Sequence, residues 1–115
     1  MTTTETGRRA EAQAADFLRR KGCDIAAQNW RTRWCEIDVV AVRDSVVYFC
    51  EVKYRRSHRQ GNGLDYITPK KLRQMRFAAE LWVATHNWQG EYQLCAIEVS
   101  GPQFQVTAVI KDITS

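Results

Sequence analysis

Apolar and polar positions along this chain follow two different periods, and the changes of period divide it into seven segments. From about residue 4 to 21, Ala10, Ala14, Phe17 and Leu18 return at helical spacing, which predicts an amphipathic helix opened by a threonine cap and closed by Gly22. Ile25 to Trp30 reads as a short strand, followed by a bend at Arg31-Thr32-Arg33. Two denser runs come next, Val39-Val40-Ala41-Val42 and Val46-Val47-Tyr48-Phe49-Cys50. Their β-branched and aromatic content, broken by Arg43-Asp44-Ser45, predicts a hairpin. Residues 55–65 form a polar loop containing Gly61-Asn62-Gly63. Thr68-Pro69 opens a second helix, which runs to about Thr85 and buries Leu72, Met75, Ala79, Trp82 and Val83. Strands near Tyr92–Val99 and Phe104–Ile110 close the chain, joined by a turn at Gly101-Pro102. The order αβββαββ predicts a mixed α/β fold with helices packed on a sheet, in one domain spanning 1–115.

Charge interrupts this pattern at one place. Glu36-Ile37-Asp38 precedes the first hairpin run and Glu51-Val52-Lys53 follows the second, so three carboxylates and one ammonium adjoin segments that otherwise read as buried strand. Charges there are costly unless they are paired or hold a metal. A turn at Asp44-Ser45 pairs Arg43 with Val46, which sets Asp38 across from Glu51 and Glu36 across from Lys53. Directly opposed residues share a face with Cβ atoms about 4.5–5.5 Å apart, so the four groups are expected as a compact square. Facing carboxylates raise each other's pKa unless a cation lies between them, and Mg²⁺ or Mn²⁺ suits carboxylate, carbonyl and water oxygens. Lys53 on the same face could reach an activated water or the anion under attack, as metal-assisted hydrolysis requires. A plain ion network, Glu36 with Lys53 beside an Asp38–Glu51 pair, satisfies the same spacing. Glu11 flanks the first helix's stripe and is open to two readings, a solvated helix residue or a third acid leaning toward this cluster.

Composition narrows the partners. The 115 residues are 44% hydrophobic and 26% charged, ordinary for a globular domain. No run approaches the ~18–20 apolar residues of a membrane span, and the N-terminus lacks a signal peptide's apolar core. The expectation is a cytoplasmic protein without a membrane partner. Cys23, Cys35, Cys50 and Cys95 show no Cys-x-x-Cys spacing, which speaks against zinc and for reduced, mostly buried thiols. Between Lys53 and Arg76 lie eight basic residues against the single acid Asp65, more than the whole chain's net charge of +4. This stretch includes Arg55, Arg56, Arg59, Lys70, Lys71 and Arg73. Beside an acidic site it suits a polyanion held by its phosphates; a solvated loop and helix face is the other reading. Trp30, Trp34 and Tyr54 could stack on bases or belong to the core.

Glu-Ile-Asp, a dozen residues, then Glu-Val-Lys resembles the PD-(D/E)xK nuclease motif. Gly7 through Ala12, Asn29-Trp30-Arg31, Glu36 through Ala41, Phe49 through Arg55 and Thr68-Pro69-Lys70-Lys71, in this order, resemble the small bacterial YraN family of predicted nucleases, similar in core to archaeal Holliday-junction resolvases. The resemblance spans nearly the whole chain. It implies a restriction-endonuclease-like αβββαβ core plus a C-terminal strand. It also implies Asp38 and Glu51 as metal-binding carboxylates with the Val52 carbonyl as a third ligand, and Lys53 as the residue that positions the attacking water and steadies developing charge. Glu11 matches an acid that can complete the metal site, Glu36 a supporting position of open role, and Arg55 a phosphate contact. Two glycines of the family pattern are replaced, by Ala10 and Cys35, which alters local backbone freedom without removing a ligand. The implied activity is Mg²⁺- or Mn²⁺-dependent hydrolysis of DNA, on branched or structured substrates, by a chain whose resolvase-like relatives act as homodimers. Fold alone is a weak guide to function, so an inactive nucleic-acid-binding or assembly module is the alternative. A protein-interaction domain using Trp82 and Trp88 is a third, and it requires an exposed apolar patch.

Overall fold

The computed structural model describes residues 1–57 and 66–113. Helix α1 (Thr3–Arg20) begins where the Thr2 hydroxyl accepts the Glu5 N–H at 3.1 Å, and it ends before Gly22, whose φ of 92° a side chain would strain. Strands β1 (Asp24–Arg31), β2 (Glu36–Arg43) and β3 (Val46–Arg55) form an antiparallel meander. Helix α2 (Pro69–Thr85) then crosses over to β4 (Glu91–Ser100), which lies parallel to β3, and β5 (Gln105–Ile110) returns antiparallel. The five strands stand in sequence order in one mixed sheet. A parallel neighbour cannot be reached by a tight turn, and α2 is the crossover that reaches it.

The expected order αβββαββ is therefore the observed one. Thr68 caps α2 by accepting the Lys71 N–H at 3.0 Å, with Pro69 at the first helical position. The final strand starts one residue later than expected, because Phe104 has a φ of 53° and is buried in the turn, stacked on Tyr54 at 4.6 Å. At the central hairpin Asp44 and Ser45 both have positive φ, 51° and 66°. That is a mirror-image two-residue turn whose twist matches the flanking strands, and it sets the predicted register from Arg43↔Val46 to Val39↔Cys50.

The core has two layers. Met75, Ala78, Ala79 and Trp82 of α2 pack on Val40, Val47, Phe49 and Leu94, while Ala10, Ala14 and Leu18 of α1 pack on Val39, Ala41, Cys50 and Ile97. Trp82 stacks on His86 at 4.1 Å and meets Phe49 edge-on at 5.5 Å. Trp88 is half-buried, with its indole N–H donated to the Glu91 carbonyl. Trp82 thus belongs to the core and Trp88 is half-buried, so neither is among the exposed large apolar side chains of the described residues that the third reading requires. Among the described residues, no helix is long and apolar enough to cross a membrane.

Candidate active site

The antiparallel ladder between β2 and β3 stops at Val39↔Cys50, one step short of Asp38 and Glu51. Beyond that point the strands are joined by a side chain: Asp38 Oδ2 accepts the Val52 backbone N–H at 2.8 Å. The facing of side chains also changes here. Ile37 packs on the α2 side, whereas Val39 and Ala41, of the same parity, pack on the α1 side. Across from this break, on β1, Asn29 has a φ of 53°. Asp38 consequently meets Glu11 of α1, while Glu51 meets Lys71 of α2, whose ammonium is 2.9 Å from its Oε2. The compact four-member square does not form. Glu36 turns outward to Arg31, its cross-strand neighbour, at 2.9 Å, and Lys53 is exposed with no ion pair to a described residue.

What forms is a pair of acids in mutual repulsion at the fork of two strands. Burial raises Asp38 from its ordinary 3.8 to about 7, opposed by the Val52 N–H and reinforced by Glu11 and Glu36. Burial likewise raises Glu51 from 4.5 to about 7, with Asp38 adding to it and Lys71 opposing it. Two buried groups beside the pair lack partners: Glu11 Oε1 and the Tyr66 hydroxyl have no hydrogen bond to a described residue. Burial and then the charges of Glu51 and Asp38 oppose ionisation of Tyr66, so it stays a neutral donor. Among the described residues, no group of three or more His, Cys, Asp or Glu side chains is arranged to hold a metal ion. The donor set is two carboxylates with a third alongside. That set fits Mg²⁺, which is commonly bound by one or two carboxylates and otherwise keeps water or substrate oxygens.

The model of the uncharacterised protein family UPF0102, the YraN family, matches residues 10–109. The chain belongs to this family. It is 34% identical over 106 residues to the UPF0102 protein of Cytophaga hutchinsonii, covering 92% of this chain and 94% of that one. To the UPF0102 protein of Renibacterium salmoninarum it is 41% identical over 103 residues, covering 89% and 87%. A third relative, from Chlorobium chlorochromatii, is 37% identical over 100 residues, with 87% and 75% covered.

In this UPF0102 chain the replaced glycine positions cause no visible conflict. Ala10 is buried against the sheet, and the Cys35 N–H is bonded to the Thr32 hydroxyl at 3.2 Å. The basic residues divide. Arg56, Lys70 and Arg73 are exposed, Lys71 is engaged by Glu51, and Arg59 lies outside the described residues, as does the Gly61-Asn62-Gly63 stretch. Arg55 is turned inward, 4.0 Å from Glu98, so its first partner is a carboxylate of the same chain. Sequence reasoning passed over Glu98, which is 2% exposed and accepts the Thr107 hydroxyl at 2.7 Å. Its signal was an acid inside the apolar run Leu94 to Val99, the same oddity that marked Asp38 and Glu51. Tyr66 gave no such signal. Of the candidate stacking aromatics, Trp30 packs edge-on to His86 and Tyr54 donates its hydroxyl to the Gly101 carbonyl, while Trp34 stays exposed. A separate cavity of about 440 Å³ lies on the α1 side, with Cys23, Cys50 and Cys95 in its walls and none of the acids above.

Proposed function

We propose that this UPF0102 chain is a Mg²⁺- or Mn²⁺-dependent nuclease that hydrolyses DNA phosphodiester bonds at the β2–β3 fork. One observation carries the reading: the buried carboxylate of Asp38 and the half-buried one of Glu51 are both raised to about 7 at a place where the strands separate. Keeping two acids there is costly to the fold, and a divalent cation relieves the cost. The resemblance of Glu36-Ile37-Asp38 and Glu51-Val52-Lys53 to the PD-(D/E)xK motif supports the same assignment.

Asp38 and Glu51 would hold the cation, with the Val52 carbonyl and Glu11 as further oxygen donors. When bound, the metal supplies positive charge that polarises a phosphate oxygen and lowers the pKa of water. The remaining work belongs to side chains of the chain itself. Val52 N–H fixes the Asp38 carboxylate, and Lys71 favours the ionised form of Glu51 against the burial that raises it. Lys53 presents an exposed ammonium two residues beyond Glu51, where it steadies charge that develops on the phosphate. Arg56, Lys70 and Arg73 hold the flanking backbone. Metal-titrated cleavage of linear, flapped and four-way DNA by wild-type and Asp38→Ala protein tests this. Metal-dependent cutting lost in Asp38→Ala is expected, and equal cutting by both proteins would overturn it.

One observation favours a second reading. The Lys71 ammonium already gives Glu51 a cation without any metal. A nucleic-acid-binding module without turnover predicts salt-dependent DNA binding that survives Asp38→Asn and needs no metal.

A further inference from the structure

The fold leaves two aromatic side chains in solvent beside Glu51. Trp34 is 69% exposed and Phe77 50%, and both line one groove of about 600 Å³ together with Glu51, Lys70, Lys71 and Arg73. A single exposed apolar residue is ordinary. Two on the walls of one groove that reaches a candidate metal ligand are not explained by packing.

Each is carried on a stiff support. The Thr32 hydroxyl accepts the N–H groups of Trp34 and Cys35 at 3.1 and 3.2 Å, and the Thr32 N–H donates to the Cys35 carbonyl at 2.9 Å. The β1–β2 turn is thereby closed on itself with Trp34 pointing out. On α2, Lys70, Arg73, Gln74 and Phe77 stand at i, i+3, i+4 and i+7, so one helix face delivers cations and an aromatic to the same groove. One wall is the turn and the other is the helix.

We propose that this groove seats an unpaired nucleotide of a DNA strand beside the scissile phosphate, its base stacked on Trp34 or Phe77 and its phosphates on Lys70 and Arg73. The inference rests on the nuclease reading above and names its substrate class. A continuous duplex keeps its base faces covered, whereas tails, flaps and junction strands offer them. Stacking on aromatic side chains accepts any base, so the groove selects structure over sequence. Phosphate binding alone would need no aromatics here, and a purely apolar contact would need no cations.

The test uses the full chain without divalent metal, so that binding is read apart from cutting. The probes are a blunt duplex and the same duplex with a short single-stranded tail carrying 2-aminopurine, a fluorescent base quenched by stacking. The tailed duplex is expected to bind more tightly and to lose emission on binding. Trp34→Ala or Phe77→Ala is expected to weaken it about 5- to 150-fold, the equivalent of one lost base stack, with the blunt duplex unaffected. Trp34→Phe should retain most of the preference, because the ring survives. Three results would overturn the proposal: a tail that adds no affinity, variants that weaken both probes alike, or wild-type protein that elutes as a pair which Trp34→Ala separates. The last would make the groove an interface between copies. Failure to bind either probe at low salt overturns the nuclease reading together with the groove. Wild-type protein that gains no affinity from the tail, yet cuts duplex once metal is added, overturns the groove alone.

Discussion

Replacing Asp38 with asparagine is expected to stabilise the protein above neutral pH and to leave it nearly unchanged in acid. Burial, with Glu11 and Glu36 contributing, moves this carboxyl from 3.8 to about 7. At about 1.36 kcal/mol per pH unit, keeping it ionised inside the fold costs about 4 kcal/mol. Because the folded value is the higher one, the native state binds more protons than the unfolded chain between about pH 4 and 7. Stability therefore falls across that window, and the penalty is complete above about pH 7. Asparagine is neutral throughout, and its carbonyl oxygen can still accept the Val52 N–H. Urea unfolding of both proteins at about pH 8 and about pH 4 reads the difference as a shift in midpoint at constant slope. A gain of about 2–4 kcal/mol for Asp38→Asn at the higher pH, vanishing at the lower, is expected on this linkage. Mg²⁺ at the higher pH should raise the midpoint of the wild type and not of the variant, since only the wild type keeps both ligands. Equal midpoints at about pH 8, or the same gain at both pH values, would show that charge burial at Asp38 does not set the effect.

Three further outcomes follow from neighbouring residues. Lys71→Met removes the cation 2.9 Å from Glu51, so Glu51 should need a still higher pH to ionise, and the acid limb of a cleavage pH profile should move up. Its ion pair is partly solvated, and the change in unfolding free energy should stay under about 1 kcal/mol. Lys53→Ala should cut the rate by about 10²-fold or more with an unchanged unfolding midpoint, because the side chain is exposed; steady-state cleavage and urea unfolding check the two halves. Trp82→Ala, which empties the space between Phe49 and His86 in the core, should cost about 3–5 kcal/mol in denaturant titrations.

Most of the fold was legible because its causes are local. The helical spacing of Ala10, Ala14 and Leu18, the Thr68-Pro69 start and the polar break at Asp44-Ser45 each act within a few residues. The hairpin register was legible for the same reason: a two-residue turn dictates every pair above it, up to Val39↔Cys50. The site was legible only as a location. Acids beside apolar strands named Asp38 and Glu51, yet the same sign at Glu98 was passed over, and Lys71, which pairs with Glu51, was assigned only to phosphate binding.

Period and turn chemistry along the chain thus set the elements, their order and the neighbours across the hairpin. Which charges meet was decided in three dimensions. The ladder ends where Asp38 takes the Val52 N–H, the facing of β2 changes beside Asn29, and α2 crosses the sheet to bring Lys71 onto Glu51. The same packing sets Trp30 edge-on to His86 and leaves Trp34 in the groove, although the two stand four residues apart. Electrostatic and stacking partners depend on distances between elements, and those distances come from how helices and sheet fill the core, which no local pattern encodes.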